Sequence, residues 1–399
     1  MPSAEKLRRI ALNQQGLLRA DSFGQGRQAT LRAIEQLGYV QIDTISVVER
    51  AHHHVLWSRV SNYQPKFLDQ LVSERKIFEY WFHAASWLPM RDYRFALPRM
   101  NRKNGDRNWF GDCDRRLIKN ILDRIRIEGP LRARDFEDGI TRKQAWWDWK
   151  PAKQALEQLF MQGELMVTRR EGFQKVYDLP ERVLPDGVDT REPGLAEYAE
   201  YLIDTTLRAH GFASVKSMTY LLRGKALRDA VGAQLLARAD AGLLSRIDIE
   251  NYSIVYANAE LLESRAPRTS ATARIISPFD NTVIQRDRAR GVFDFDYQIE
   301  CYLPQPKRRF GYFCLPILYR DRFVGRIDCK AHRNNRRLEI KSAHIEPVAD
   351  PGFPDALGRA LESFAVFNGC ETISHPILKG LEVLSRQVGE INPESLIDG

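Results

Sequence analysis

The sequence predicts an α+β protein in which helical units precede an all-β module, and three observations support this prediction. Apolar residues recur at helical spacing through most of the first 240 residues. Two-residue turn signals near residues 171 and 250 predict β-hairpins between the helices. From Arg274 the pattern changes to short strands separated by turn residues. At 399 residues, the chain can form two or three domains.

The first unit is predicted over residues 1–110. Residues 4–20 and 30–37 have apolar residues at helical spacing, and the second helix ends at Gly38, a residue type favoured at helix ends. An aromatic segment, Phe78 to His83, follows as an extended stretch. Two helices followed by extended aromatic segments predict a winged-helix unit.

The same order of elements occurs twice more, over residues 111–185 and 195–265. The second unit has helices near 117–127 and 153–160 and a hairpin turning at Glu171-Gly172. The third has helices between 202 and 239 and a hairpin turning at Glu250-Asn251. Three helices with a hairpin are typical of a winged helix. The cluster from Trp146 to Trp149 either packs in a core or stacks on bases.

An all-β module is predicted over residues 270–399. Phe293, Phe295 and Tyr297 alternate with polar residues, which predicts a strand with one buried face over 293–300. Further strands are expected at 275–280, 312–319, 323–329 and 337–345. Together they predict a small β-barrel, closed by a helix over 355–367.

The charge of the chain favours a polyanionic partner. There are 60 Lys and Arg against 52 Asp and Glu, which gives a net charge of +8. Residues 305–341 contain 11 Lys or Arg and 3 Asp or Glu, a surplus equal to that of the whole chain. Two basic turns in this stretch, a hairpin predicted at Lys307-Arg308-Arg309 and a turn over residues 332–337, are candidates for phosphate contact, although solvated turns would look the same. The candidate residues are Lys307, Arg308, Arg309, Arg333, Arg336 and Arg337.

Several other classes are disfavoured. The sequence has no apolar run of membrane-spanning length and no signal peptide at its start, so we expect a cytoplasmic protein without membrane contact. Five cysteines without a Cys-x-x-Cys pair indicate neither a disulfide framework nor a zinc site. His52, His53 and His54 are adjacent and would point in different directions, so we expect a polar turn rather than metal ligands.

The segment from Gly38 to Ile45 is the candidate active site. As an extended stretch it would send Gln41 and Asp43 to the same face. An amide beside a carboxylate can orient one water while the carboxylate takes its proton. The alternative is structural, with Asp43 capping a helix that runs from Thr44 to Val47.

Seven motifs, in order along nearly the whole chain, resemble the bacterial winged-helix DNA glycosylases of the AlkX (YcaQ) and AlkZ type. The motifs are Gly16-Leu17-Leu18, Gln41-Ile42-Asp43-Thr44-Ile45, Tyr80-Trp81-Phe82-His83-Ala84, Trp146-Trp147-Asp148-Trp149-Lys150-Pro151, Ser277-Pro278-Phe279-Asp280, Pro306-Lys307-Arg308-Arg309-Phe310-Gly311-Tyr312-Phe313 and Val324-Gly325-Arg326-Ile327-Asp328-Cys329-Lys330. Each motif alone is weak, and their combination is specific.

The resemblance implies three tandem winged helices and a C-terminal β-barrel forming a C-shaped DNA clamp. It also implies excision of bulky 7-alkylguanines and unhooking of interstrand crosslinks in double-stranded DNA. The catalytic motif of the family is Gln, an aliphatic residue, then Gln or Asp, and Gln41-Ile42-Asp43 matches its Gln/Asp form. We further expect a monomer.

The chemistry of such a lesion agrees with the residues of the motif. Because a purine alkylated at N7 is cationic, it leaves without a general acid, and Asp43 could both stabilise the oxocarbenium-like sugar and activate a water placed by Gln41. The motif contains no lysine to form a Schiff base, so we expect a monofunctional glycosylase without metal or cofactor. A crosslinked base cannot be flipped freely, which favours an open groove. The alternatives are a non-enzymatic winged-helix regulator and, more weakly, a nuclease.

Overall fold

The computed structural model describes residues 2–20, 22–101, 113–136 and 151–375. The chain divides into two compact structural units, which differ from the three units predicted above. The first unit is formed by Met1–Gln64 with Leu202–Gly399, and the second unit is formed by Pro65–Tyr201. The expected mixture of helices and sheets is confirmed, whereas the domain boundaries given above remain predictions. The tryptophan cluster at 146–149 lies outside the described residues. Within the described ranges, no helix is both long and apolar enough to cross a membrane.

The first unit begins with two helices, a very short strand and a third helix. They are α1 (Ala4–Gln14), α2 (Gly26–Leu37), β1 (Val40–Gln41) and α3 (Ala51–Trp57). α1 ends six residues earlier than predicted, because the chain turns at Gly16, whose φ is +71°. A Cβ atom at Gly16 would lie 2.2 Å from the ring of Phe23, so a side chain does not fit there. α2 ends at Gly38 in the left-handed conformation, as predicted.

The second unit contains two hairpins and several helices. Its elements are α4 (Pro65–Ser73), β2 (Ile77–Trp81), β3 (Ala85–Pro89), α5 (Leu97–Met100), α6 (Arg115–Glu128), β4 (Leu131–Arg132), α7 (Pro151–Met161), β5 (Met166–Glu171), β6 (Gln174–Asp178) and α8 (Pro180–Val183). Strands β4, β6 and β5 form one antiparallel sheet in that order. Its hairpin turns at Gly172 and Phe173, both with positive φ, one residue later than predicted. Glu79 is buried and accepts two hydrogen bonds from Arg170, at 2.7 and 2.8 Å.

The chain then passes back into the first unit through α9, which contains the boundary between the units. The next elements are α9 (Leu195–His210), β7 (Phe212–Ala213), α10 (Val215–Met218), α11 (Lys225–Asp240), β8 (Leu244–Ile249), β9 (Ser253–Asn258) and α12 (Ala259–Glu263). Strands β7, β9 and β8 form an antiparallel sheet in that order. Asn251 has a φ of +60° at the tip of the predicted hairpin. The order of helices, short strand and hairpin follows the sequence prediction for this segment.

A five-stranded sheet completes the first unit. The elements are β10 (Ala273–Ile275), α13 (Arg286–Phe293), β11 (Cys314–Tyr319), β12 (Arg322–His332), β13 (Arg337–Ile345), α14 (Phe353–Phe367) and β14 (Thr372–Ser374). The strands follow the order β10-β11-β12-β13-β14 and curl into a half-barrel, so the predicted barrel-like module is confirmed in this coarser form. β10 and β14 remain edge strands, and α14 packs against β10 with its apolar side chains in the core of the sheet.

The predicted strand over residues 293–300 is wrong. Residue 293 ends α13, and residues 294–300 form no ladder, although Phe295 and Tyr297 are buried and stack at 5.6 Å. The guanidinium of Arg326 lies 4.7 Å from the ring centre of Phe295 and donates a hydrogen bond to the carbonyl of Asp296. The alternating pattern therefore predicted burial correctly, but cation–π and polar contacts hold the segment instead of a neighbouring strand.

Four cysteines of the first unit are shielded from solvent to different degrees. Cys314, Cys329 and Cys370 are buried, and Cys301 is half-buried. Burial raises the pKa of all four thiols. They are therefore un-ionised at neutral pH.

A buried ion pair joins three segments of the first unit. Arg59 and Asp280 are fully buried and form two hydrogen bonds, at 2.6 and 2.9 Å. Arg59 also donates to the carbonyl and side-chain oxygens of Gln15, just after α1, and to the carbonyl of Val55 in α3. Burial alone would raise the pKa of Asp280, but Arg59 and Thr282 hold it below its ordinary value. Both charges are thus compensated inside the protein.

We expect Asp280→Asn to lower the free energy of unfolding of this unit by about 3–5 kcal/mol, because Arg59 would keep its charge without a buried counterion. Urea unfolding followed by tryptophan fluorescence measures the change.

The matched control is Asp296→Asn. Asp296 pairs with Arg290 at 2.7 Å, but both side chains are mostly exposed. This change should cost less than about 1 kcal/mol. Equal effects of the two substitutions would contradict the importance assigned to the buried pair.

Candidate functional site

Asp43 lies in a tight turn directly after β1. Its Oδ1 accepts a hydrogen bond from the backbone N–H of Ile45 at 2.7 Å, which is the geometry of an Asx turn. Residues 44–50 form no helix, so the predicted alternative of a helix cap is wrong. The carboxyl is half-buried, and burial raises its pKa, while the Ile45 N–H acts in the opposite direction. A partly desolvated carboxylate with a raised pKa is better suited to accept a proton than an ordinary surface aspartate.

Gln41 is the last residue of β1, and only 7% of its surface is exposed to solvent. Ile42 is equally buried, so the strict alternation of faces predicted for residues 38–45 does not occur. The strand is short because the chain turns at Asp43. The backbone before it is fixed, since the buried Asn281 donates a hydrogen bond from Nδ2 to the carbonyl of Tyr39 at 3.2 Å.

The loop that follows Asp43 is bound to the C-terminal sheet of the same unit. The carbonyl of Val47 accepts a hydrogen bond from the backbone of Ala331 at 2.9 Å. Arg333 donates to the carbonyl of Ser46 at 3.2 Å and lies 3.7 Å from the carboxylate of Glu49. One of the two predicted basic turns therefore adjoins the loop that carries Asp43.

A second loop, residues 301–312, is far from Asp43 in sequence but within electrostatic reach of it in the fold. The negative charge of Asp43 adds to the effect of burial in raising the pKa of Cys301 and of Tyr302. Tyr302 is 70% exposed. Sequence reasoning missed both residues, because nothing local distinguishes a functional tyrosine in a loop from a solvated one.

The same loop carries the other basic turn. It is a short 3-10 turn over Gln305–Lys307 rather than the predicted hairpin. Lys307 and Arg309 are exposed, and Arg308 donates from Nε to the carbonyl of Leu303 at 2.9 Å. Among the described residues, no carboxylate forms an ion pair with any of these three cations. Their charges are available to a phosphate.

The remaining predicted phosphate contacts already have protein partners. Arg336 forms an ion pair with Glu371 at 2.6 Å, and Arg337 donates to the hydroxyl of Ser374 at 3.1 Å. Arg333 pairs with Glu49, as described above. Among the described residues, the three cations of the first turn thus form no ion pair, whereas the three arginines of the second turn are held by side chains of the protein.

The three consecutive histidines lie in α3, so the predicted polar turn is wrong. His52 and His54 are buried, and His53 bonds through Nδ1 to the hydroxyl of Tyr63 at 2.7 Å. Burial lowers the pKa of His53 and of His54 to about 4, so both rings are neutral at pH 7. His54 Nε2 lies 2.8 Å from the carbonyl of Ile275, to which it donates. Over the part of the chain that the structure describes, no three His, Cys, Asp or Glu side chains form a group that could hold a metal ion.

Comparison with known proteins identifies the family. The structure is similar to the Streptomyces sahachiroi DNA glycosylase AlkZ, with a TM-score of 0.62 and 15% sequence identity, over 94% of this chain and 100% of that one. This similarity concerns the fold. The family model described as "DNA glycosylase AlkZ-like" matches residues 34–367. Because the model covers most of the sequence, from α2 to the end of α14, the chain belongs to the AlkZ-like family of DNA glycosylases.

Proposed function

We propose that the protein is a monofunctional, metal-independent glycosylase that removes bulky 7-alkylguanines from duplex DNA and unhooks interstrand crosslinks. The observation that carries the proposal is the position of Asp43, a half-buried carboxylate with a raised pKa in a loop fixed to the C-terminal sheet. Membership of the glycosylase family supports the reaction class.

In the proposed reaction, the bond between C1′ of the sugar and N9 of the purine breaks, and its electron pair stays with the base. The positive charge of the alkylated purine is neutralised in this step, so no general acid is needed. The Asp43 carboxylate stabilises the oxocarbenium-like sugar and then takes a proton from the water that attacks C1′. The proposed role of Gln41 is to place that water through its amide.

DNA binding is proposed to involve both the helical segments and the basic turn. We assign the three helix-and-hairpin segments as winged helices, which hold duplex DNA through a helix and a hairpin wing. Lys307, Arg308 and Arg309 would contact backbone phosphates near the lesion, because none of the three forms an ion pair with a carboxylate among the described residues. The C-shaped clamp implied by the family resemblance, a monomeric state and a cytoplasmic location remain predictions.

We expect Asp43→Asn to abolish excision of 7-methylguanine while duplex affinity stays within a few-fold. The asparagine can still accept the hydrogen bond of Ile45 and keep the turn, but it cannot take a proton. Abasic sites formed in single-turnover reactions with EDTA present measure the rate.

The controls separate the competing functions. Wild-type excision that survives EDTA excludes a metal nuclease, and binding without excision by the wild type would favour the non-enzymatic regulator. Matched duplexes with uracil, hypoxanthine or 8-oxoguanine should not be cleaved, because these neutral bases are poorer leaving groups. Robust release of uracil, or no activity on any bulky cationic adduct, would refute the proposed substrate class.

The pH dependence of excision should follow ionisation of Asp43. Burial raises its pKa, so the acid limb of the single-turnover rate should lie above the ordinary aspartate value of 3.8. The same shift means that ionised Asp43 destabilises the folded state above the unfolded pKa. Asp43→Asn should therefore unfold at an equal or higher temperature than wild type at pH 7, and the difference should shrink on acidification and vanish below the ordinary aspartate pKa of 3.8. A difference in unfolding temperature that instead grows on acidification would contradict this assignment.

Replacing Lys307, Arg308 and Arg309 with alanine should weaken binding to all DNA sequences alike. Each lost phosphate contact should make the slope of log affinity against log salt shallower by up to about one unit. Fluorescence anisotropy across a salt series measures the slope.

Two further variants sharpen this comparison. The Lys307→Ala, Arg309→Ala double variant keeps the bond between Arg308 and Leu303 and so preserves the loop. Arg336→Ala should change the slope less, because Glu371 already shares its charge. An unchanged slope in the triple variant would remove this turn from the DNA interface.

A further inference from the structure

Tyr302 is an exposed aromatic residue beside the proposed catalytic carboxylate. Its exposed fraction of 70% would mean little alone, because single apolar residues are common on protein surfaces. Its position in the fold distinguishes it. The loop of Asp43 and the loop of Tyr302 are both bound to β12 at positions three residues apart, because the backbone of Ala331 donates to the carbonyl of Val47 and Asp328 accepts from the backbone of Tyr312. The charge of Asp43 also raises the pKa of Tyr302, with burial as the larger cause.

The loop that carries Tyr302 is held firmly on its C-terminal side. The carboxylate of Glu300 accepts hydrogen bonds from the backbone N–H groups of Arg309, Phe310 and Gly311, at 3.0, 2.8 and 3.1 Å. Burial alone would raise the pKa of Glu300, but these three donors hold it below its ordinary value. Glu300 lies two residues before Tyr302, so the base of the loop is closed on itself.

A second carboxylate fixes the exit of the same loop. Asp328 accepts hydrogen bonds from the backbone of Tyr312 and Phe313, at 2.7 and 3.2 Å. Gly311 has a φ of +148°, and a Cβ atom there would lie 2.5 Å from Asp328, so no side chain fits. The guanidinium of Arg326 lies 4.1 Å from the ring centre of Phe310. The backbone at the exit of the loop is therefore fixed before a ligand arrives, which lowers the cost of ordering the loop on binding.

We propose that Tyr302 stacks on the alkylated purine and selects it by its positive charge. A tyrosine face attracts a cation through the ring quadrupole, and nucleobases stack on aromatic side chains. This inference rests on the proposed function. It adds a lesion-recognition residue that the sequence did not reveal, since the segment around Gln41 and Asp43 contains no aromatic pair that could enclose a base.

The proposed contact acts on binding rather than on bond cleavage. The purine carries its positive charge in the substrate and loses it as the glycosidic bond breaks, so the ring stabilises the bound substrate at least as much as the transition state. Removing the ring should therefore raise the half-saturating enzyme concentration and leave the maximal single-turnover rate within a few-fold. A role in the chemical step would reduce the maximal rate instead.

The test compares two duplexes that differ in charge at one base. One carries 7-methylguanine on a 2′-fluoroarabinose, which is cationic and resists cleavage, and the other carries neutral 7-methyl-7-deazaguanine. Wild type should prefer the cationic duplex, and Tyr302→Ala should lose about tenfold of that preference. Tyr302→Phe and Tyr302→Trp should retain it, because both keep an aromatic face.

The matched control is Leu243→Ala, which truncates a similarly exposed apolar residue, 63% exposed, in the turn before β8. It should leave the preference unchanged. Loss of preference in Tyr302→Phe as large as in Tyr302→Ala would overturn stacking in favour of the hydroxyl. An undiminished preference in a folded Tyr302→Ala would also overturn the proposal. If wild type binds selectively but excises no 7-alkylguanine, the proposed function fails while the recognition role stands.

Discussion

The buried pair of Arg59 and Asp280 determines how the N-terminal and C-terminal parts of the first unit fit together. Two desolvated charges cost several kcal/mol each unless their hydrogen bonds are all formed, so this contact tolerates few arrangements of the segments that supply it. Gln15 and Val55 contribute oxygens to Arg59, and Thr282 donates to Asp280. The neighbour of Asp280, Asn281, binds the backbone just before β1. The position of Gln41 and Asp43 thus follows from a polar contact in the interior.

In the candidate site, carboxylate side chains rather than strand pairing hold the backbone in place. The loops around Asp43 and Tyr302 have almost no ladder hydrogen bonds, and their backbone N–H groups are instead satisfied by Asp43, Glu300 and Asp328. A carboxylate can accept several such bonds at once and can close a loop of irregular shape. This arrangement fixes the backbone of the site without regular secondary structure.

Much of the fold could be predicted because its signals are local. Helical periodicity located most helices, and Gly38 marked the end of one of them. The errors arose where contacts distant in sequence decide the conformation. Burial of the histidines in α3 depends on contacts such as that with Ile275, and the segment after Phe293 is held by Arg326 rather than by a strand. The five-stranded sheet likewise ends in β14, which pairs with β13 but shows no periodic pattern in the sequence that would predict a strand.

The candidate site was predictable only in part for the same reason. Gln41 and Asp43 stand two residues apart in a recognisable motif, whereas the loops of Asp43 and Tyr302 are brought together only because both are bound to β12. Which of the basic residues form ion pairs was equally hidden, because Glu49 and Glu371 lie far from Arg333 and Arg336 in sequence. Charge counts along the chain cannot show such compensation.

The shielding of the cysteines has a consequence for survival under chemical stress. Electrophiles that alkylate guanine also attack thiols, and they react with the thiolate form. Cys314, Cys329 and Cys370 are enclosed in the protein, and Cys301, nearest to the proposed catalytic residue, has a raised pKa. A repair protein built in this way would keep these four thiols intact at electrophile doses that damage the genome. It could then remain active while the lesions it is proposed to remove are still accumulating.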